Sequence, residues 1–230
     1  FYGCSKIVEL NIGDNVSSIG AAAFADCYSI VKINFGKKVT DIATNAFKNL
    51  VFCDTVNINS DFVSIGTNAF LNLGYSTTGT TVTLSDEVKS IDLSEFFDSN
   101  ISRIKVGKAF VGISRFGKVP ALNEIVVTTE NDNGYYSYEG CLYNGTTLVL
   151  APQNVTTLKI KDGTTAIADH AVQYSDISIA RIPDGVKTIG NYAFSDSSSI
   201  KAVRLPSTLE EIGSYAFSSC MKLKTVNIPE

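Results

Sequence analysis

The chain has 230 residues, 44% of them hydrophobic, which is enough for one large domain or two small ones and a sizeable core. Its net charge of −4 argues against a general polyanion binder, so nucleic acid is not an expected partner. Charged residues make up only 18%, and no run approaches the ~18 apolar residues that a membrane span needs. A surface of neutral hydroxyls and amides suits ladders of short strands better than amphipathic helices.

From its first residue the chain repeats itself. Phe1, Phe24, Phe47 and Phe70 follow one another at intervals of 23 residues, and Phe194 and Phe217 do so again. The phenylalanines sit in related turns: IGAAAFADC (19–27), IATNAFKNL (42–50), IGTNAFLNL (65–73), IGNYAFSDS (189–197) and IGSYAFSSC (212–220). A sustained period of this length marks a solenoid, because one repeat cannot bury its own apolar face and must stack on its neighbours. Ala fits where backbones crowd, and Phe fills the centre between layers.

A second pattern precedes each turn. IVELNI (7–12), IVKINF (30–35), CDTVNI (53–58), ISRIKV (101–106), LNEIVV (122–127), VTTLKI (155–160), IKAVRL (200–205) and LKTVNI (223–228) share apolar positions at i, i+3 and i+5. The last two alternate with polar residues, which predicts strands with one buried face. Tight turns rich in Gly, Pro and Asp follow, then a short V-x-x-I such as VSSI (16–19) or VKTI (186–189). The centre is less regular. After SIDLSEFF (90–97) the Ala-Phe turn is degraded, KAFVGISRFGK (108–118) has no clear counterpart, and 128–152 is longer than one repeat. In ADHAVQY (168–174) Val172 replaces the Phe.

The pattern L-x-x-[VI]-x-[IL]-P-x-x-[VL]-x-x-I-G-x-x-A-F-x-x-C, clearest in IKAVRLPSTLEEIGSYAFSSC (200–220), resembles the BspA-type leucine-rich repeat. The resemblance covers nearly the whole chain and implies an α/β fold leaning to β. That fold is a leucine-rich-repeat solenoid of about ten ~23-residue coils with a parallel concave sheet and short strands or turns on the convex side. GCLYNGTTLVLAP (140–152) looks like a hairpin-bearing repeat of that family. The expected organisation is a single solenoid over 1–230, regular over 1–92 and 155–230 and irregular over 93–154, as a fragment of a longer protein. The resemblance further implies a non-catalytic adhesion module outside the cell or on its surface. Its ligand would be a protein or glycoprotein, host extracellular matrix included. A structural spacer or self-associating array of a surface protein is the competing reading.

On the solvent side of the long sheet, the i+2 and i+4 positions include Arg103, Lys105, Lys159, Arg181 and Arg204, a basic set on an acidic chain. These are the candidate ligand contacts, with a solvated sheet as the plain alternative. Tyr135, Tyr136 and Tyr138 crowd the central insertion and are candidate partner contacts or packing residues. The column Asn11, Asn34, Asn57 reads as a structural amide ladder.

Nothing in the chain proposes catalysis. The sole histidine, His170, shares a variable and expectedly exposed column with Ala22, Asn45, Asn68, Tyr192 and Tyr215, so a histidine-based triad is not expected. ENDNG (130–134) lacks the spacing of a calcium loop, no C-x-x-C pair suggests zinc, and no phosphate-cradling glycine motif occurs. The reading is of a protein without catalytic or metal residues and without a cofactor. Cys4, Cys27 and Cys220 share a column with Leu50 and Leu73 and are expected to be buried free thiols.

Overall fold

The computed structural model describes residues 1–228, which make about ten turns of nearly all-sheet β-solenoid. The turns fall into two compact units, Phe1–Leu122 with Val127–Asn133, and Asn123–Val126 with Gly134–Glu230. No described residue lies in an α-helix.

In the first unit each coil contributes two strands. The longer ones are β1 (Glu9–Asn11), β3 (Lys32–Asn34), β5 (Thr55–Ile58), β7 (Thr80–Leu84) and β9 (Ile101–Val106), between which fall β2 (Ser18–Ile19), β4 (Asp41–Ile42), β6 (Ser64–Ile65), β8 (Ser90–Asp92) and β10 (Gly112–Arg115). Strands β1, β3, β5, β7 and β9 pair side by side and all parallel, with Leu10, Ile33, Val56, Val82 and Ile104 in register. The V-x-x-I segments form a separate parallel sheet, β2–β4–β6, and β8 pairs with β10. KAFVGISRFGK is therefore the second half of a coil: its GISR is β10.

The phenylalanine turn explains the conserved spacing in physical terms. Within a turn, Ala25 N donates to Ala22 O, while Phe24 N reaches Ala46 O of the next coil at 2.8 Å. The same link joins Phe47 to Ala69. Each turn satisfies its backbone partly in its own coil and partly in the next, which holds the rings in one column. Rings of Phe1, Phe24, Phe47, Phe70 and Phe96 stack at centroid distances of 5.2, 5.6, 5.4 and 4.7 Å. Phe96 thus fills the column although its turn has lost the Ala-Phe pair. Phe35 meets Phe47 edge-on from the sheet side, so the core holds both offset-stacked and edge contacts.

The turns keep two positions in the left-handed region, for example Ala22 (φ 52°) with Asp26 (φ 60°), and Asn45 with Asn49. Beside these, the expected amide ladder is present: Asn34 Nδ2 donates to Asn11 Oδ1 at 2.6 Å and Asn57 Nδ2 to Asn34 Oδ1 at 2.7 Å. A second ladder runs along the turns, from Asn72 to Asn49 and from Asn49 to Asp26, both at 2.7 Å.

Strand β11 (Glu124–Val127) is divided, with Glu124–Val126 in the second unit and Val127 in the first, and the chain is in the second unit from Gly134 onward. Strands β12 (Tyr135–Tyr138), β13 (Cys141–Asn144) and β14 (Thr147–Leu150) form an antiparallel meander. Strand β14 then continues in parallel into the V-x-x-I strands β15 (Ala166–Ile167), β17 (Thr188–Ile189) and β19 (Glu211–Ile212). Alternating with them in sequence are β16 (Ile179–Arg181), β18 (Ala202–Arg204) and β20 (Thr225–Asn227), which pair as a separate parallel sheet. VTTLKI, expected to be a strand, is not one. Its backbone reaches the next coil through Ser178 N to Thr156 O at 3.3 Å, which does not make a ladder. The unit's core gathers Tyr143, Leu148, Ile167, Val172, Ile189, Phe194 and Val203, with Phe194 stacked on Phe217 at 5.0 Å.

All five cysteines are free thiols. Cys27, Cys53 and Cys141 are buried, and Cys4 and Cys220 half-buried. Cys27 Sγ donates to Phe1 O at 3.0 Å and Cys220 Sγ to Phe194 O at 3.2 Å, the same inter-coil contact in each unit. Burial pushes the Cys53 and Cys141 thiols up to about 12, so neither is a nucleophile near neutral pH.

Candidate functional site

On a strand with one face buried, alternate side chains point to solvent, and register decides which of them become neighbours. In the first unit this places Arg103 and Lys105 on the outer side of β9, beside Thr81 and Thr83 of β7. Arg103 is exposed and Lys105 half-buried. In the second unit Arg181 of β16 lies in register with Arg204 of β18, and Asn227 of β20 comes next. Parallel strands sit ~4.8 Å apart, so the two guanidinium groups leave the sheet as near neighbours. Both are exposed, and among the described residues no carboxylate comes within ion-pair distance of either.

Lys159 differs from that pair in its setting. It lies outside any strand, its Nζ is 3.4 Å from Glu139 Oε1, and it sits 5.9 Å over the Tyr138 ring. Hydrogen bonds with Tyr138 and then Glu139 raise its pKa above the ordinary lysine value.

The tyrosines of β12 are half-buried. Tyr136 stacks on Tyr143 at 5.6 Å, Tyr138 meets Tyr143 edge-on at 6.2 Å, and Tyr136 Oη donates to Gly145 O at 2.8 Å. Tyr143 itself is fully buried, accepts from Lys161 N at 3.0 Å, and has its pKa raised by burial. Tyr136 and Tyr138 thus cover a buried ring, while Tyr135 pairs in register with Asn144.

His170 is not exposed as its column suggested, but half-buried. Its ring lies flat against Tyr192 at 5.2 Å, Tyr192 stacks on Tyr215 at 5.1 Å, and Nδ1 is 2.8 Å from Gln173 Oε1. All three aromatic residues hold left-handed backbone, with φ of 59°, 54° and 57°. The left-handed column that carries Asn in the first unit carries stacked rings here. In ENDNG, Asn131 is buried and its Nδ2 donates to the carbonyls of Gly107, Lys108 and Phe110, so the loop is tied to the coil before it. Among the described residues no cluster of three His, Cys, Asp or Glu could hold a metal ion.

One side chain that the sequence pattern did not single out is Lys161, in the turn KDG. Its Nζ lies 4.5 Å over the Tyr136 ring and 3.2 Å from Tyr136 Oη. A groove of about 260 Å³ opens beside it, lined by Tyr136, Gly145, Thr146, Lys161, Asp162, Gly163 and Thr164. No sequence signal marks it, because the groove exists only where a turn of one coil faces the tip of the hairpin.

Stacked coils with parallel strands and a phenylalanine-filled turn define a leucine-rich-repeat protein. Residues 1–143 and 151–230 match the BspA type leucine rich repeat region in six copies, and the chain belongs to that family. No curated protein matches it in sequence. Among solved structures it is similar to a leucine-rich repeat protein from Eubacterium ventriosum, with 24% identity and a TM-score of 0.66 over 96% of this chain and 60% of that one. It is also similar to the pneumococcal vaccine antigen PcpA, with 18% identity and a TM-score of 0.61 over 96% of this chain and 62% of that one. These likenesses bear on the fold, and the chain spans about three fifths of either protein's length. Among the described residues no helix is long and apolar enough to cross a membrane.

Proposed function

We propose that the chain is a non-catalytic binding module of an extracellular or cell-surface protein, taking a protein or glycoprotein ligand on a sheet face. The observation that carries this reading is the Arg181–Arg204 pair. Two exposed guanidinium groups side by side repel one another, and with no carboxylate beside them they favour an anionic partner. Arg103 and Lys105 offer a second basic position on the first unit's sheet, and Lys159 contributes only if it leaves Glu139. The whole chain is proposed to be one repeat array, with Tyr135, Tyr136 and Tyr138 serving packing before partner contact.

The test is binding of the chain to a panel of acidic extracellular glycoproteins at low and physiological salt, with the Arg181→Glu/Arg204→Glu variant alongside. Binding that weakens with salt and drops at least tenfold in the variant is expected, since each lost charge contact at a partly desolvated interface is worth about 1 kcal/mol or more. Full binding by the variant would remove the Arg pair from the site.

A further inference from the structure

We propose that the groove between the β13–β14 hairpin tip and the Lys161–Thr164 turn binds a monosaccharide unit bearing one carboxylate.

The groove lies wholly within the second unit and uses neither Arg181 nor Arg204, so it stands or falls independently of the sheet-face reading. Its volume of about 260 Å³ falls just short of the range typical for drug-sized ligands and suits one sugar ring. Its lining mixes polar groups with apolar surface. Lys161 is half-buried, and among the described residues no carboxylate comes within ion-pair distance of its ammonium. The neighbouring acid, Glu139, is engaged by Lys159.

The orientation of Lys161 is fixed from three sides. Its backbone N–H is held by the buried Tyr143 hydroxyl, and its carbonyl accepts from Thr164 Oγ1 at 2.6 Å. Its Nζ rests over the Tyr136 ring and donates to Tyr136 Oη, whose own proton goes to Gly145 O. An ammonium has three protons, and this contact uses one. The other two can meet a carboxylate without any rearrangement of the site.

The rest of the lining selects the kind of anion. Asp162 is exposed in the same groove and would repel a doubly charged phosphate, while its oxygens can accept from hydroxyl groups. At one edge the Thr146 hydroxyl is hydrogen-bonded to that of Thr165, 2.7 Å away, and keeps capacity for a further contact. One fixed cation, one acceptor carboxylate and neutral hydroxyls match a single carboxylate carried on a hydroxyl-rich ring. They do not match an apolar peptide side chain.

The experiment is titration of the chain with glucuronate, with glucose, acetate and inorganic phosphate as comparators, followed by backbone amide NMR shifts. Millimolar glucuronate is expected to move Gly145, Gly163 and Thr164, with glucose and acetate each at least tenfold weaker. Lys161→Gln should abolish the glucuronate shifts while leaving the rest of the spectrum in place. Asp162→Asn should narrow the gap between glucuronate and phosphate. Arg181→Glu/Arg204→Glu should leave glucuronate binding unchanged, so failure of the sheet-face reading leaves this result intact. Equal response to glucose or to acetate, a preference for phosphate, persistence of the shifts in Lys161→Gln, or no response to glucuronate would each overturn the proposal.

Discussion

Residue by residue, the coil depends on side chains that tolerate unusual backbone as well as on those that fill space. Ala22 holds φ of 52°, a region in which an L-residue with a Cβ is strained by roughly 1–2 kcal/mol. Glycine there would relieve that strain but would enlarge the unfolded ensemble by about 0.4–1 kcal/mol. Ala22→Gly is therefore expected to be neutral or stabilising by up to about 1 kcal/mol. Ala46, fully buried and in ordinary backbone, gives the opposite sign: Ala46→Gly should destabilise by about 1 kcal/mol. Denaturant midpoints of the two variants check the contrast. A destabilised Ala22→Gly would mean that its half-buried Cβ contributes more packing than its backbone loses in strain.

At the scale of the element, the ladders set how neighbouring coils are joined. Asp26 ends the turn ladder as the acceptor of Asn49, and that hydrogen bond, with a further one from Tyr2, holds its carboxyl below the ordinary aspartate value. A carboxylate with a depressed folded pKa stabilises the fold above its unfolded value of about 3.9, and loses that contribution as pH falls through the folded pKa. Asp26→Asn keeps an acceptor for Asn49 and removes the charge. Wild type should melt above this variant at neutral pH, and the gap should close below pH ~3.9. A gap that does not change with pH would assign the effect to geometry and not to ionisation.

The same elements show what could be read from the chain. The phenylalanine column, the Asn11–Asn34–Asn57 ladder and the pairing of Arg181 with Arg204 follow from a fixed period and strict alternation, so they were legible. Phe96 was hidden because it lies 26 residues after Phe70, the extra length being taken up near Gly74 and Gly79, both in positive φ. VTTLKI has the strand pattern without a ladder to join, so Lys159 lies in no strand paired with β16, and its ammonium is engaged by Glu139. The Lys161 groove was invisible, since it depends on where the hairpin inserts, and periodicity carries no information about that. Left-handed backbone at His170, Tyr192 and Tyr215 was equally hidden, because large aromatic residues seldom adopt it.

Across the chain as a whole, most backbone and side-chain links between coils span about one period, with exceptions such as Lys37 to Glu87, so stability should behave largely as a sum of coil terms and nearest-neighbour terms. The first unit offers a clean test. Phe24 and Phe47 rings are stacked at 5.6 Å, whereas Phe47 and Phe70 both intervene between Phe24 and Phe96. Phe47 is fully buried, and Phe47→Ala should cost roughly 3–5 kcal/mol. Milder Phe→Leu changes keep the unit folded enough for a double-mutant cycle. Phe24→Leu with Phe47→Leu should depart from additivity by about 0.5–3 kcal/mol, and Phe24→Leu with Phe96→Leu by less than about 0.5 kcal/mol. Native-state hydrogen exchange adds the spatial reading: Phe47→Leu should lower protection most in the coils that carry Phe24 and Phe70. If the distant pair couples as strongly as the adjacent one, the coils of this unit open together and the nearest-neighbour account fails. If only the adjacent pair couples, each repeat holds its neighbour in place. A substitution on a sheet face, such as Arg181 or Arg204, could then alter recognition with little effect on coils beyond its own neighbours.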